Sequence, residues 1–186
     1  MLPVVFEVST LPVLLAGAGP LALKRLALLD DAAAGDVRVF GLADDDALRA
    51  AAGARFRPHL PDTHDIADVR LMFVAGLPAF QAHVLGDLAR AHHVALNVED
   101  DLPYCDFHMP AMVRRGDLLL TVSTGGGSPA LASGIRAWLS AQFGLEWGEH
   151  MSEAQALRTR LREAGAPPGE VIQAVRALIT ERGWLA

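Results

Sequence analysis

The chain has 186 residues, 52% of them hydrophobic, with a mean hydropathy of +0.27; that is enough to bury one full core plus a small helical appendage, and disorder is not the default. The net charge of −6 comes from residues 1–109, with 8 Lys/Arg against 15 Asp/Glu, while residues 110–186 carry 8 against 7, so wholesale nucleic-acid binding is not expected. Charge or glycine breaks every apolar run before membrane-span length, Met1-Leu2-Pro3 lacks the basic region of a signal peptide, and the single Cys105 excludes an internal disulfide or cysteine-zinc cluster, which together suit a cytoplasmic protein with no membrane partner.

Val4 to Val8 reads as a short opening strand, with Ser9 to Pro12 as the turn into the next. Val13-Leu14-Leu15-Ala16 is a buried strand that stops at Gly17-Ala18-Gly19 and resumes as an apolar helix through Leu21, Leu23, Leu26, Leu28 and Leu29. Strand, glycine turn and helix in that order fit the G-x-G-x-x-G/A dinucleotide fingerprint. Gly17 and Gly19 let the backbone approach a diphosphate, the helix start offers unpaired N–H groups, and Ala22 lets the helix pack close to the strand. Gly17, Gly19, Pro20, Leu21 and Ala22 are therefore candidate cofactor contacts, although Pro20, well placed at a first helical position, removes one N–H from the cradle. A plain tight turn would use the same two glycines, and the fingerprint alone does not separate the readings. Lys24 and Arg25 read as a solvated face, with a hold on phosphate or a substrate carboxylate as the lesser alternative.

Val37 to Phe40 is the next strand, and its end, Gly41-Leu42-Ala43, is where a dinucleotide fold meets the adenosine ribose, which adds Leu42 and Ala43 to the cofactor candidates. Asp44-Asp45-Asp46 reads as the cap of the Ala-rich helix that follows, with ribose recognition by Asp44 as the lesser alternative. No basic residue stands at this tip to meet a 2′-phosphate, so the expected cofactor is NAD rather than NADP. Arg55 to Leu60 suggests a short edge strand, His59 and His64 read as surface histidines, Leu71 to Ala75 is a buried strand, Pro78 to His92 a helix and Val94 to Val98 another strand. This alternation predicts an α/β fold with an open parallel sheet covered on both faces. In such a sheet Gly17, Leu42, Gly76 and Asn97 to Asp100 converge beyond the carboxyl ends of the strands.

After Asp101 the rhythm changes. Phe107 to Arg114 and Leu118 to Thr124 read as a hairpin through Arg115-Gly116-Asp117, followed by Ser123-Thr124-Gly125-Gly126-Gly127-Ser128-Pro129 and a helix from about Ala130 to Phe143, with Ser128 as its cap and Pro129 at the first helical position. Two more helices, Glu149 to Ala164 and Glu170 to Arg182, close the sequence around Gly165-Ala166-Pro167-Pro168-Gly169.

Asn97-Val98-Glu99-Asp100-Asp101, Cys105-Asp106-Phe107-His108-Met109-Pro110-Ala111 and Ser123-Thr124-Gly125-Gly126-Gly127-Ser128-Pro129-Ala130-Leu131-Ala132 resemble the motifs of the precorrin-2 dehydrogenase family, which includes the amino-terminal part of multifunctional siroheme synthases. The resemblance runs in matching order over roughly Leu2 to Phe143 and is much more specific than the glycine loop alone. It implies a Rossmann-type NAD-binding domain over 1–106, a strand-exchanged dimerisation and substrate-cleft region over 107–145 that makes a homodimer, and a small helical domain over 146–186. It implies oxidation of precorrin-2 to sirohydrochlorin with NAD+ taking the hydride, and in some members insertion of Fe2+ to give siroheme. Asp100 falls on the aspartate to which the family assigns a central role, and Thr124 on a hydroxyl of the Ser/Thr-Gly-Gly loop at the tetrapyrrole cleft. Three places depart from the family pattern: Ala75-Gly76-Leu77-Pro78 replaces Ala-Thr-Asp, Phe40-Gly41 replaces Ala-Pro, and Pro20 replaces a residue with an N–H.

Dehydrogenating a tetrapyrrole needs a hydride acceptor held against the ring and a base for the proton lost beside it. Asp100, just past a buried strand and between the like charges of Glu99 and Asp101, is the candidate catalytic residue; a capped acidic turn is the bland alternative. The substrate's many carboxylates call for arginines and backbone donors, and Arg114, Arg115 and Arg136 lie in the substrate-side segment. Thr124, Gly125, Gly126, Ser128 and Arg115 are the substrate-binding candidates. His108 is a secondary candidate as iron ligand or proton shuttle, Cys105 reads as a small structural residue, and no spacing describes a resident metal site. A non-catalytic dinucleotide- or tetrapyrrole-binding protein on the same scaffold is the rival reading.

Overall fold

A computed structural model describes residues 2–185 and divides into two compact units, one running to Met109 and the other beginning at Pro110. The first unit is a parallel sheet of five strands: β1 (Pro12–Gly17), β2 (Asp36–Phe40), β3 (Phe56–Arg57), β4 (Leu71–Ala75) and β5 (Ala95–Val98), in spatial order β3-β2-β1-β4-β5. Its helices are α1 (Gly19–Asp31), α2 (Asp46–Ala52), the single-turn α3 (Thr63–Ile66) and α4 (Ala79–Ala91).

Because side chains alternate along a strand, the central strands feed two cores. Val13, Leu15, Val37, Val39, Leu71, Phe73 and Ala75 pack with Ala22, Leu26 and Leu29 of α1 and Leu48 and Ala52 of α2. Leu14, Ala16, Phe40, Met72, Val74, Leu96 and Val98 pack with Ala82, Leu85 and Ala89 of α4 and Ile66 of α3. The chain order reverses direction across the sheet between β1 and β4, and the crevice at their carboxyl ends is the site such sheets reserve for ligands.

Several sequence expectations change. Val4 to Val8 forms no strand and exposes Val4, Val5 and Phe6; β1, the strand it precedes, already has β2 on one edge and β4 on the other. The expected edge strand at Arg55 to Leu60 shrinks to the two residues of β3, because a 3-10 turn occupies Gly53–Arg55. Arg25 is not solvated but buried, at 7% exposure.

The second unit contains the hairpin β6 (Ala111–Arg115) and β7 (Leu118–Val122), antiparallel around Gly116, and the helices α5 (Pro129–Gln142), α6 (Trp147–Glu163) and α7 (Pro168–Arg182). Its first strand starts at Ala111 rather than Phe107, since the Phe107 ring is held by the first unit, edge-on to Phe73 at 5.4 Å. Among the described residues no helix is long and apolar enough to cross a membrane.

Candidate functional site

The carboxyl ends of β1, β2 and β4 meet through glycines. A Cβ on Gly17 would lie 2.4 Å from the Ala75 carbonyl oxygen and 2.8 Å from Ala22 Cβ, and one on Gly76, at φ +72°, would lie 2.1 Å from the Ala18 carbonyl oxygen. Gly41 is close-packed to a lesser degree, with side-chain carbons of Phe56 and Leu48 at 2.9 and 3.0 Å from a Cβ placed there and the Gly17 carbonyl oxygen at 3.2 Å. Pairing of Gly17 with Ala75 and of Val74 with Val98 brings the glycine turn, Gly76 and the Glu99 to Asp101 turn to one level of the sheet, the convergence read from the sequence. Gly76, where the resemblance expects a threonine, is what allows the Ala18 carbonyl to press against the end of β4.

At the glycine turn the supply of free N–H groups is short. Ala18 N donates to the Ala75 carbonyl at 3.0 Å, Gly19 N donates to the Asp45 carboxylate at 2.8 Å, and Pro20 has no N–H. Of the first helical positions this leaves Leu21. Gly19 is at φ +62° and a side chain there would meet nothing within 4 Å, so open space faces the turn. Of the three aspartates read as the cap, Asp45 and not Asp44 reaches the glycine turn: one oxygen caps α2 by accepting from Leu48 N at 2.9 Å, the other accepts from Gly19 N, a link that sequence reasoning missed. Leu42 is exposed, and Ala43 offers its carbonyl to Arg49 at 2.5 Å, so, against the expectation of a tip without a base, α2 folds an arginine back to the end of β2. These residues fit a dinucleotide: the turn has no side chain in the way, the helix start carries a positive dipole end, and an acid stands between glycine turn and second strand, where a ribose hydroxyl is met.

Asp100 lies just past β5 at φ +60°, exposed, on the rim of a shallow cavity of about 200 Å³ lined by Gly76, Leu77, Ala79, Glu99 and Asp101 among others. The acidic cluster around it is not a bare concentration of charge. Glu99 forms an ion pair with buried Arg25 of α1, and Asp101 accepts from His83 Nε2 of α4 at 2.8 Å. Arg25 was legible in principle: Ala22, Arg25, Leu26 and Leu29 fall on one buried helical stripe, so a base on it needs a buried partner. Its guanidinium also lies over the Phe73 ring at 5.2 Å.

Cys105 behaves as the structural residue expected. Its Sγ–H reaches the Val98 carbonyl at 3.1 Å and the Asp101 carbonyl at 3.3 Å, and its sulfur accepts from Val98 N at 3.3 Å. Burial pushes the thiol above its ordinary range. Asn97, buried, donates to the Phe107 carbonyl at 2.9 Å and ties the strand to the segment after Cys105. His108 is half-buried, and among the described residues no group of His, Cys, Asp and Glu is placed to hold a metal ion.

In the second unit, the Thr124 to Ser128 loop is self-braced. Thr124 Oγ1 donates to the Ser128 carbonyl and accepts from Ser128 N, both at 3.2 Å, Gly125 and Gly126 take φ +64° and +81°, and Ser128 Oγ caps α5 by accepting from Leu131 N at 3.3 Å. Arg115, expected as a substrate anchor, has its guanidinium engaged within its own unit. Its Nε donates to the carbonyls of Phe143 at 2.8 Å and Gly144 at 3.0 Å, one Nη to Arg114 and the other to Ser140, so the guanidinium closes the carboxyl end of α5. Arg114 and Arg136 remain exposed.

A family profile described as "Putative NAD(P)-binding" matches residues 4–111. A siroheme synthase of Methylococcus capsulatus is 31% identical over 169 residues, covering 90% of this chain and 36% of that protein; those of Thiobacillus denitrificans and Pseudomonas putida strain F1 are each 34% identical, over 112 and 165 residues, covering 60% and 87% of this chain and 22% and 35% of theirs. The chain thus spans about a third or less of the length of these relatives. The solved structure of SirC, precorrin-2 dehydrogenase, has the same fold, with a TM-score of 0.75 at 20% identity over 100% of this chain and 93% of that one. With that profile matched over more than half of the chain, the chain belongs to the family described as "Putative NAD(P)-binding" and is similar in sequence to siroheme synthases over part of their length.

Proposed function

We propose that the chain oxidises precorrin-2 to sirohydrochlorin with NAD+ as hydride acceptor. The observation that carries this reading is Asp100, a carboxylate in a left-handed turn on the rim of the crevice, at the sheet level of the glycine turn. Gly17, Gly19, Leu21 and Ala22 receive the nucleotide at the start of α1, with Leu42 and Ala43 flanking it, and Asp45 accepts from a ribose hydroxyl. A carboxylate there repels a 2′-phosphate, which favours NAD over NADP. The bound nicotinamide supplies a hydride acceptor. Asp100 takes the proton from the ring position beside the one that loses hydride. Thr124, Gly125, Gly126 and Ser128 shape the start of α5, whose N-terminal dipole suits the substrate's carboxylates, with Arg114 and Arg136 as the exposed bases in place of Arg115.

The chain is proposed to work as a cytoplasmic homodimer, in three parts over 1–106, 107–145 and 146–186. Support comes from α5, where Leu131, Ile135 and Trp138, at 56%, 38% and 61% exposure, form one apolar stripe. Fe2+ is a second substrate in this reading, to be inserted into the product. Precorrin-2 incubated with and without NAD+, with sirohydrochlorin followed by absorbance, tests the function. NAD+-dependent turnover is expected, and Asp100→Ala is expected to reduce it by about 10²–10⁴-fold while still binding NAD+.

One observation favours a second reading. With Ala18 N, Gly19 N and position 20 all without a free N–H, the phosphate cradle is sparse, as in a binding protein that keeps the scaffold without the chemistry. Binding of NAD+ or tetrapyrrole with no turnover would select it.

A further inference from the structure

Among the described residues three other than glycine have left-handed backbones: Ala33 at φ +54°, His93 at +56° and Asp100 at +60°. Ala33 and His93 each follow the last turn of a helix, α1 and α4, where a left-handed residue closes the helix end. Asp100 follows a strand, inside the turn that Asp101 N closes on the Val98 carbonyl; aspartate tolerates a left-handed backbone there, and its neighbours determine how firmly that turn is held.

Those neighbours are tethered from opposite faces of the sheet. On one side, Glu99 N donates to the Val74 carbonyl at 2.9 Å, and the Glu99 carboxylate is paired with Arg25 of α1. On the other, the Asp101 carboxylate accepts from His83 of α4 at 2.8 Å, while Asp101 N reaches back to the Val98 carbonyl at 3.4 Å. The His83 ring is itself fixed. It lies flat on Tyr104, centroids 4.1 Å apart at 5°, and Arg90 covers the Tyr104 ring at 4.5 Å. Tyr104 sits where Gly86 leaves room, since a Cβ on Gly86 would come within 2.7 Å of the ring. Each outer carboxylate of Glu99-Asp100-Asp101 is thus committed to a partner, and the middle one is left to face the crevice.

We propose that Arg25 and His83 are positioning residues: through Glu99 and Asp101 they hold the left-handed turn that presents the Asp100 carboxylate at the crevice. Arg25 has a further consequence, because α1 also begins at the glycine turn, so one rigid helix carries both the nucleotide cradle and one tether of the base. The inference rests on the reading of Asp100 as the base, and its test includes a readout independent of turnover.

His83→Phe keeps a ring against Tyr104 and deletes only the bond to Asp101, whereas His83→Gln restores an N–H donor. For the other tether, the double variant Arg25→Met/Glu99→Leu removes both charges together and so leaves no unpaired buried charge, and Glu99→Gln keeps the acceptor. Amide exchange at Glu99 and Asp101, whose N–H groups are bonded to the Val74 and Val98 carbonyls, is measured by NMR, NAD+ affinity by calorimetry, and kcat and KM with precorrin-2. In His83→Phe and in the double variant, exchange at this turn is expected to quicken by about tenfold, the loss of a hydrogen bond to a charged group. The kcat is expected to fall by up to about 10²-fold with KM and NAD+ affinity nearly unchanged, as for a misplaced reacting group. His83→Gln and Glu99→Gln should recover most of both. Unchanged exchange in His83→Phe and in the double variant would overturn the proposal, whatever the activity. Faster exchange with kcat unaltered would also overturn it, since the turn would then be held without consequence for the base. If the wild-type protein turns over no precorrin-2, the functional reading fails by itself and exchange alone decides whether the tethers hold the turn.

Discussion

A methyl group placed on Gly17 would run into the Ala75 carbonyl and Ala22, whereas one placed on Gly19 would enter open space. The first glycine therefore serves the packing of strand against helix, and Gly17→Ala is expected to destabilise the protein by about 1–3 kcal/mol in denaturant unfolding. Gly19→Val strains a backbone held at φ +62° and adds a side chain where the diphosphate would lie, so a loss of stability in denaturant unfolding and a loss of NAD+ affinity by calorimetry are both expected; unchanged affinity in a folded variant would reduce the loop to a turn. Asp45→Ala removes both the cap of α2 and the partner of Gly19, and about 1 kcal/mol of stability should go with it. The same variant should narrow the preference for NAD+ over NADP+, which a side-by-side titration reads directly. The sequence identified an acidic cap here but not which of three consecutive aspartates supplies it, because a cap depends on backbone dihedrals at a single residue. Arg25 was misread for a related reason: its charge argued for solvent, while its place on the stripe of Ala22, Leu26 and Leu29 argued for burial with a partner, and that partner, Glu99, is distant in sequence.

Elements with strong periodicity and clear ends were legible to within a residue or two, among them β4, α4 and α5, where Ser128 and Pro129 mark the helix start. Those that depend on an available neighbour were not. Val4 to Val8 has strand composition but no strand, and β3 is cut to two residues by the turn before it. β2 is also fastened at the level of side chains: Arg38 donates to both oxygens of Asp68, at 2.6 and 2.7 Å, and to Asp36 at 3.1 Å. Beside the guanidinium the Asp68 carboxyl titrates at about 2 instead of 3.8. A carboxyl with a lowered folded-state value contributes stability above its unfolded value and loses it as pH falls through the folded one. The tie should therefore be complete at neutral pH and vanish from about pH 4 down to 2. Arg38→Met is expected to flatten that part of a plot of Tm against pH; an unaltered acid limb would show that the exposed pair has no measurable role.

At the scale of the whole molecule, the exposed stripe of Leu131, Ile135 and Trp138 on α5 needs covering, and a second copy of the chain is the proposed cover. Sedimentation equilibrium should return a dimer whose dissociation constant rises in Trp138→Ser; a concentration-independent monomer would remove the dimer from the proposal. The fold class was readable from alternation of strand and helix and the parallel sheet bears it out, whereas the chemistry was readable only where three separate motifs coincided in order. Composition could not supply it, since many unrelated reactions use this sheet and differ in a few side chains at its carboxyl edge.

The chain's single thiol lies beneath the Asp100 turn, with its hydrogen shared between the carbonyls of Val98 and Asp101. Burial lifts it above its ordinary range, so at neutral pH little thiolate is present and the half-buried sulfur reacts slowly while the turn holds its hydrogen. Cys105 is thereby a built-in clock. With iodoacetamide in excess, the rate of carbamidomethylation seen by mass spectrometry follows how freely this one place exposes and ionises the thiol, with no label introduced. A nucleotide that rigidifies the crevice should slow the clock, and a ligand that binds elsewhere should leave it running at its own pace.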